Sequence, residues 1–125
     1  MLKLINNKNI NGKFYIENFD EREEEDRVKI YDSDENYLDY LPLEEDDTPI
    51  EEQYNNYVEM LESFKTIEEL MDWLVCDCEF IGNKDQTIEY LHKELNWDLP
   101  SKDYNPLDNE WVNRIGDTYI VVSEY

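Results

Sequence analysis

The sequence predicts an α+β fold in which an antiparallel sheet of about five strands carries three helices packed on one face, in the order β-β-β-α-α-α-β-β. Three observations predict it: alternating apolar residues in the N-terminal third, helix-start signatures in the middle, and a glycine-containing turn between two strand-like runs near the C-terminus. A hydrophobic content of 40%, with 14% aromatic residues, favours a folded chain. One domain over residues 1–125 accounts for the length.

Strand-like segments occupy most of the N-terminal third. Phe14 and Ile16 alternate with more polar residues over 13–17, and Val28 and Ile30 repeat the pattern over 27–31. Residues 2–5 form a possible short strand, and residues 37–41 return as a further strand that ends before Pro42. Asn, Asp, Gly and Ser between the segments favour turns. Together these patterns predict an antiparallel meander.

Two helix starts follow in the middle of the chain. Thr48 can cap a first helix that has Pro49 in its first position, and apolar residues then recur at helical spacing. Thr66 opens a second capping signature, which predicts a second helix that ends before Gly82. A third helix is expected over residues 85–95, where apolar side chains recur three and four residues apart.

A β-hairpin is predicted at the C-terminal end. Residues 110–115 and 118–124 are strand-like, and Gly116 and Asp117 between them suit a tight turn. Because apolar residues fill both alternating sets in the second strand, we expect that strand to be buried on both faces.

The most acidic part of the chain is residues 17–52. Seventeen acids lie there against Arg22, Arg27 and Lys29, so this segment carries −14 of the formal net charge of −22. Interleaved apolar residues favour a folded carboxylate surface over an acidic tail. We predict that this surface binds a basic partner through Asp20, Glu21, Glu23, Glu24, Glu25, Asp26, Asp32, Asp34, Glu35, Asp39, Glu44, Glu45, Asp46, Asp47, Tyr31, Tyr37 and Tyr40.

Carboxylates held on a folded surface can imitate the phosphates of a nucleic acid. Alternate residues of a strand lie about 6.6 Å apart and helical residues four apart lie about 5–6 Å apart, close to the separation of phosphates along one strand. Tyrosines among the acids supply adaptable, amphipathic contacts.

The charge and the composition also argue against several classes of function and location. Affinity for phosphate comes from cations, so we expect no direct binding to nucleic acid. The sequence contains no apolar run long enough for a signal peptide or a membrane span, so no membrane association is expected. Two cysteines in an otherwise ordinary domain suit a reducing environment, and the predicted location is the cytoplasm.

The segment from Asp32 to Asn36 matches two known acidic motifs only in part. Asp-x-Asp after an apolar run is typical of aspartate-nucleophile phosphotransferases, but Asn36 occupies a position that requires Thr or Val. A calcium loop would need glycine at Tyr37 and glutamate at Leu43. Weak divalent-ion binding by the many carboxylates stays open, but a dedicated metal site is not predicted.

No other residues form a recognisable catalytic or cofactor site. Cys76 and Cys78 have no second ligand pair for zinc, and they are predicted to lie near the end of the second helix as free thiols. His92 is the only histidine and has no nucleophile signature near it. With 33 acids, no single carboxylate pair stands out as a general acid–base couple. The sequence therefore predicts no cofactor and no enzymatic activity.

In size, charge and lack of catalytic motifs, the chain resembles the acidic DNA-mimic inhibitors of phages and mobile elements, which include anti-CRISPR and antirestriction proteins. The resemblance implies a phage protein in the host cytoplasm that occupies the nucleic-acid site of a defence enzyme. An anti-CRISPR protein acting on an effector nuclease is the most specific expectation within that class.

Three alternatives share the composition. An immunity protein that neutralises a basic toxin nuclease would need the same carboxylates. An acidic phage protein could take part in interactions without inhibiting anything. A solvated acidic surface could have no specific partner at all.

Overall fold

The structure is a computed structural model that describes residues 2–74, 78–94, 105–108 and 111–122. Within these ranges the fold is α+β, as predicted, with three α-helices and two antiparallel sheets. The elements are β1 (Leu2–Asn7), β2 (Gly12–Glu17), β3 (Arg27–Tyr31), β4 (Tyr37–Pro42), α1 (Ile50–Ser63), α2 (Ile67–Trp73), β5 (Cys78–Gly82), α3 (Lys84–Glu94), β6 (Val112–Ile115) and β7 (Thr118–Val122).

The first sheet is the predicted N-terminal meander, with strand order β1-β2-β3-β4. Ile5 pairs with Phe14 and Ile16 pairs with Ile30, and all four side chains are fully buried on the inner face. β1 is longer than the expected residues 2–5, because its pairing with β2 extends to Asn7. A bulge in the β3–β4 pairing between Ile30 and Tyr31 interrupts the alternation.

The prediction of one sheet of about five strands is wrong. The C-terminal hairpin forms as expected, but β7 also pairs with β5, which gives a second sheet of order β5-β7-β6. β7 is therefore a central strand, and Ile120, Val121 and Val122 are all buried. Burial of both faces explains why apolar residues occupy the inward and the outward positions of β7 alike.

Helix α1 covers the inner face of the first sheet. Its side chains Tyr54, Val58 and Leu61 are buried in the same core as the inner residues of β1–β4, and each such burial contributes about 1.5–3 kcal/mol. The predicted Thr48 cap is wrong: the N-cap residue is Pro49, and the Thr48 N–H donates to Asp46 Oδ1 at 2.7 Å.

Helix α2 confirms the second capping signature but is shorter than expected. The Thr66 hydroxyl accepts the Glu69 N–H at 3.1 Å, while a carboxylate oxygen of Glu69 accepts the Lys65 N–H at 3.0 Å. The helix ends at Trp73, and Cys78 begins β5 where the sequence predicts a helix end. Cys76 lies outside the described residues.

The prediction that all three helices pack on one face of a single sheet is also wrong. α3, expected over 85–95 and observed over Lys84–Glu94, lies against β5 and β7 of the second sheet, whereas α1 lies against β1. Thr87 and Leu91 of α3 are both fully buried, and Leu91 packs in a smaller cluster with Val112 and Val121.

Two hairpin turns meet where the sheets join. A Cβ at Gly12 would lie only 2.5 Å from Ile115 Cγ2, and a Cβ at Gly116 would lie 2.6 Å from the Asn11 carbonyl. Gly116 also has a φ of 61°, which L side chains rarely adopt. These two glycines allow the β1–β2 and β6–β7 turns to touch.

Among the described residues, no helix combines the length and apolarity needed to cross a membrane.

Candidate partner-binding surface

The antiparallel order of the first sheet brings two acidic loops to the same end. The β2–β3 loop holds the acids of residues 20–26, and the β4–α1 connection holds those of residues 44–47. The Leu43 N–H donates to the Asp26 carbonyl at 2.7 Å, and Arg27 pairs with Pro42 at the adjacent end of β3 and β4. The two loops are therefore neighbours in space, although strand β3, the turn at 32–36 and strand β4 separate them in sequence.

The N-terminus of α1 adds two more acids to this end of the molecule. Glu51 and Glu52 lie in the first helical turn, where the positive end of the helix dipole stabilises negative charge. We call the combined surface the acidic end, and it consists of Asp20, Glu21, Glu23, Glu24, Glu25, Asp26, Glu44, Glu45, Asp46, Asp47, Glu51 and Glu52. All of these residues are exposed except Glu24, which is partly exposed.

Glu17 anchors the first acidic loop. Its side chain is only 6% exposed, and its carboxylate accepts the backbone N–H of Lys29 at 2.8 Å and that of Glu23 at 3.4 Å. The buried Tyr54 hydroxyl donates to the Glu17 carbonyl at 2.9 Å, which ties the same residue to α1. Glu17 thus supplies the acceptor for the Lys29 N–H of β3, next to the point where the β2–β3 pairing ends. This bond holds the loop against β3.

Gln53 anchors the second acidic loop. Its side-chain amide donates to the carbonyls of Glu44 at 2.6 Å and Thr48 at 2.9 Å, and its Oε1 accepts the Glu44 N–H at 3.0 Å. The carboxylate of Asp46 closes a smaller turn onto Thr48. Because these bonds use backbone groups, they leave the carboxylates of Glu44, Glu45 and Asp47 free to face solvent.

The cations beside the acidic end are already engaged with neighbouring groups. Arg27 pairs with Glu24 at 3.2 Å and lies over the Tyr40 ring at 5.2 Å. Lys29 bonds Glu23 at 3.4 Å, which raises the pKa of Lys29, and Arg22 stacks on the Phe19 ring at 4.2 Å. Exposed ion pairs of this kind are worth only about 0–1 kcal/mol, so the cations of a partner can displace them.

A cleft of about 380 Å³ separates the two acidic loops. Its walls carry Glu25, Asp26, Glu45 and Arg22, and its apolar lining comes from Leu43 and Ile50. An arginine or lysine side chain matches this chemistry, because such a side chain combines an aliphatic stem with a cationic tip.

Asp32 was predicted to lie on the exposed carboxylate surface, but the structure does not place it there. Its side chain is fully buried, and its carboxylate accepts the N–H groups of Asp34 and Asn36 at 2.9 Å and those of Asn113 Nδ2 and Arg114 at 3.1 Å. An aspartate surrounded by four donors has no free oxygen for a cation or a phosphoryl group. Neither the calcium loop nor the phosphotransferase motif fits this arrangement, and no described cluster of His, Cys, Asp or Glu could hold a metal.

Asp39 is also removed from the surface. It lies beside the β3–β4 bulge, its side chain is fully buried, and its carboxylate accepts the Tyr40 N–H at 2.8 Å. Asp34 and Glu35 are exposed, but they lie in the β3–β4 turn at the opposite end of the sheet, where Asp34 forms a two-bond pair with Arg114 at 2.6 and 3.0 Å. The predicted array therefore divides between two ends of the molecule.

The predicted tyrosines lie on the outer face of the first sheet. Tyr31 and Tyr37 are paired across β3 and β4 with ring centroids 6.2 Å apart, and Tyr40 lies under Arg27. The register adds Tyr15 and Leu4 to the same row, which the sequence reasoning missed. Tyr15 was detectable from its alternation with Phe14 and Ile16, whereas Leu4 requires the register of β1.

Two further side chains with reactive groups, Cys78 and His92, lie in surroundings that fit structural roles. Cys78 is partly buried, its thiol contacts the Phe80 carbonyl at 3.6 Å, and burial raises its pKa, which makes it a poorer nucleophile. His92 lies in the last turn of α3, where a basic residue interacts favourably with the helix dipole.

Comparisons of this chain with family models, with curated proteins and with solved structures found no match.

Proposed function

We propose that this protein is an acidic inhibitor that imitates nucleic acid and blocks the DNA- or RNA-binding site of a host defence enzyme. The observation that carries the proposal is the convergence of two acidic loops and a helix start into the acidic end. The best candidate within this class is an anti-CRISPR protein that acts on an effector nuclease in the host cytoplasm.

The anchoring of the loops supports mimicry by a preformed surface. Glu17 and Gln53 fix the loop backbones from within, so binding does not have to order the whole surface. Ordering a flexible loop on binding reduces affinity, and preorganised groups avoid much of that cost. A nucleic-acid site offers fixed arginines and lysines, and a fixed set of carboxylates is the matching counterpart.

The mechanism is direct competition. Carboxylates of the acidic end pair with the cations that hold phosphates, or with arginines that read a short DNA motif through bidentate contacts. The cleft beside Glu25 and Glu45 receives one such basic side chain. Long-range attraction by a chain of net charge −22 speeds association and makes it sensitive to salt.

The test begins with capture of a partner from a host lysate on the immobilised chain, with identification by mass spectrometry. We expect a nucleic-acid-binding enzyme that duplex DNA or RNA releases competitively and that elutes as salt rises from about 0.05 to 0.5 M, because the pairing is electrostatic. The purified enzyme should then lose nucleic-acid binding when the chain is added.

Two charge-reversal variants separate a defined surface from overall acidity. Reversing Glu25, Glu45 and Asp47 to lysine changes the acidic end, and reversing Glu59, Glu62 and Asp72 makes the same charge change on exposed helix positions. We expect the first variant to weaken partner binding on the order of 10³-fold, since each lost close charge pair costs about tenfold or more. The second should weaken binding by less than about tenfold.

Two results would contradict the proposal. Equal effects of both variants would show that only the net charge matters. A captured partner that still binds nucleic acid in the complex would exclude competition. If the captured enzyme is a secreted toxin nuclease and not a defence enzyme, the same surface belongs to an immunity protein.

A further inference from the structure

We propose that the outer face of the first sheet is the contact surface of a symmetric dimer of this chain. Leu4, Tyr15, Tyr31 and Tyr37 form one row across all four strands, each paired in register with the next. Leu4 is 49% exposed and Tyr37 is 43% exposed, and they are two of the most exposed large apolar side chains in the described part of the chain. Helix α1 packs on the opposite face, so it does not cover this row.

The charge of this face differs from that of the rest of the molecule. The four strands contain only two acids, Glu17 and Asp39, and both are buried. The exposed row therefore presents no strand carboxylate, although the whole chain carries 33 acids. Tyrosine enrichment with depletion of acidic residues is the composition typical of the centre of a protein interface.

The arrangement is complementary to itself. A two-fold axis along the row would place Leu4 on Leu4 and each tyrosine on its copy, and it would exchange the two ends of the strands. Lys13 lies two residues from Tyr15 at one end, and Glu23 reaches the outer face at the other end, where it bonds Lys29. Lys13 of one copy would then face Glu23 of the other.

The other two kinds of occupant fit less well. A basic protein would find its carboxylates mainly at the acidic end, because the strand acids Glu17 and Asp39 are buried and Glu23 lies only at the edge of this face. A nucleic acid would meet like charge on both sides, from the acidic end and from Asp34 and Glu35 in the opposite turn. A second copy of this chain does not depend on exposed carboxylates or on a positively charged face, because its own row of apolar and tyrosine side chains packs against this one.

The size of the face predicts a weak dimer. Four strands spaced about 4.8 Å apart, with about six residues each, present roughly 400 Å² per copy, about half of a standard interface. The repulsion between two copies of charge −22 opposes association and is screened at moderate salt. We therefore expect dissociation constants in the micromolar range or weaker.

Sedimentation velocity of the full chain over a concentration series tests the proposal. We expect concentration-dependent dimers that Leu4→Glu abolishes. Met60→Glu is the matched control, since Met60 is 38% exposed on α1 away from the row and should leave dimerisation unchanged. Circular dichroism confirms that both variants fold.

A charge exchange tests the two-fold geometry. Lys13→Glu and Glu23→Lys should each weaken self-association about tenfold or more, and an equal mixture should restore it, because both cross-contacts are then of opposite sign. A chain that stays monomeric to millimolar concentration, or a mixture no stronger than its components, overturns the proposal. A monomer whose row becomes protected only when the captured enzyme binds would assign the face to that enzyme instead. Self-association and enzyme capture are measured separately, so either can fail alone.

Discussion

The carboxylate of Asp32 accepts a hydrogen bond from the side-chain amide of Asn113 at 3.1 Å, across 81 residues of sequence. Asp32 lies in the β3–β4 turn of the first sheet, and Asn113 lies in β6 of the second. The same carboxylate takes the Arg114 N–H, and the Ser33 hydroxyl accepts the Gly116 N–H at 2.9 Å. One buried acid in an acidic chain therefore joins the two sheets.

Asp32→Ala should destabilise the protein severely. The change leaves one buried and three partly buried N–H donors without their acceptor, and an unsatisfied buried donor costs about 1–3 kcal/mol. We expect a loss of at least about 3 kcal/mol in the free energy of unfolding, measured by urea denaturation.

Asp34→Ala is the matched control for that measurement. It removes an acid from the same turn and breaks the pair with Arg114, but the Asp34 side chain is 32% exposed. A partly exposed ion pair contributes about 1 kcal/mol or less. Similar losses from the two variants would refute the role assigned to the buried carboxylate.

Glu17→Gln should loosen the first acidic loop without unfolding the sheet. The amide keeps one oxygen acceptor, so only one of the two bonds to the N–H groups of Lys29 and Glu23 can persist in full. We expect faster hydrogen exchange at these two amides and several-fold weaker binding to the captured partner.

Glu51→Gln removes the same charge from an exposed helix position and serves as the control for Glu17. It should leave exchange at Lys29 and Glu23 unchanged. If the Glu17 variant keeps full protection at both amides, the loop is held by other contacts.

Glu35 adopts a left-handed backbone conformation, with a φ of 62°, and a substitution at this position should increase the stability of the protein. The left-handed region costs an ordinary residue about 1–2 kcal/mol, and asparagine tolerates it better. We expect Glu35→Asn to raise stability by about 0.5–1 kcal/mol, seen as a higher melting temperature. Glu45→Asn makes the same chemical change at an exposed position without a positive φ and should have no such effect.

Much of the fold could be predicted because its signals are local. The meander, α3, the C-terminal hairpin and the Thr66 cap all follow from residues within a few positions of one another. The second sheet could not be predicted in this way. Its strand β5 directly follows a helical pattern, and it becomes a strand by pairing with β7, some forty residues later.

The candidate surface could also be predicted only in part. The acidic loops were predictable as loops, and their convergence follows from the order of an antiparallel meander. The burial of Asp32 and Asp39 was not predictable, because a turn aspartate and a strand aspartate look alike in sequence whether they face solvent or a distant donor such as Asn113. The charge count of residues 17–52 therefore overstated the exposed array by three acids, since Glu17 is buried as well.

Alkaline pH should destabilise the protein through its buried tyrosines. Burial raises the pKa of Tyr54 above the ordinary value of 10.0, and the same cause raises the pKa of Tyr57 and of Tyr31. A group whose pKa is raised in the folded state stabilises the fold fully below its unfolded pKa, and this stability is lost as the pH rises through the folded value. We expect the melting temperature to fall steeply above a pH of about 10.

Tyr54→Phe isolates one of these groups. The variant loses the hydrogen bond from the tyrosine hydroxyl to the Glu17 carbonyl, so its stability at neutral pH should fall by about 1–2 kcal/mol. It also has one fewer buried hydroxyl to ionise, and its melting temperature should therefore fall less steeply than that of the wild type above a pH of about 10. Parallel curves for the two proteins would show that Tyr54 does not contribute to the alkaline transition, and that the neutral-pH loss comes from the hydrogen bond alone.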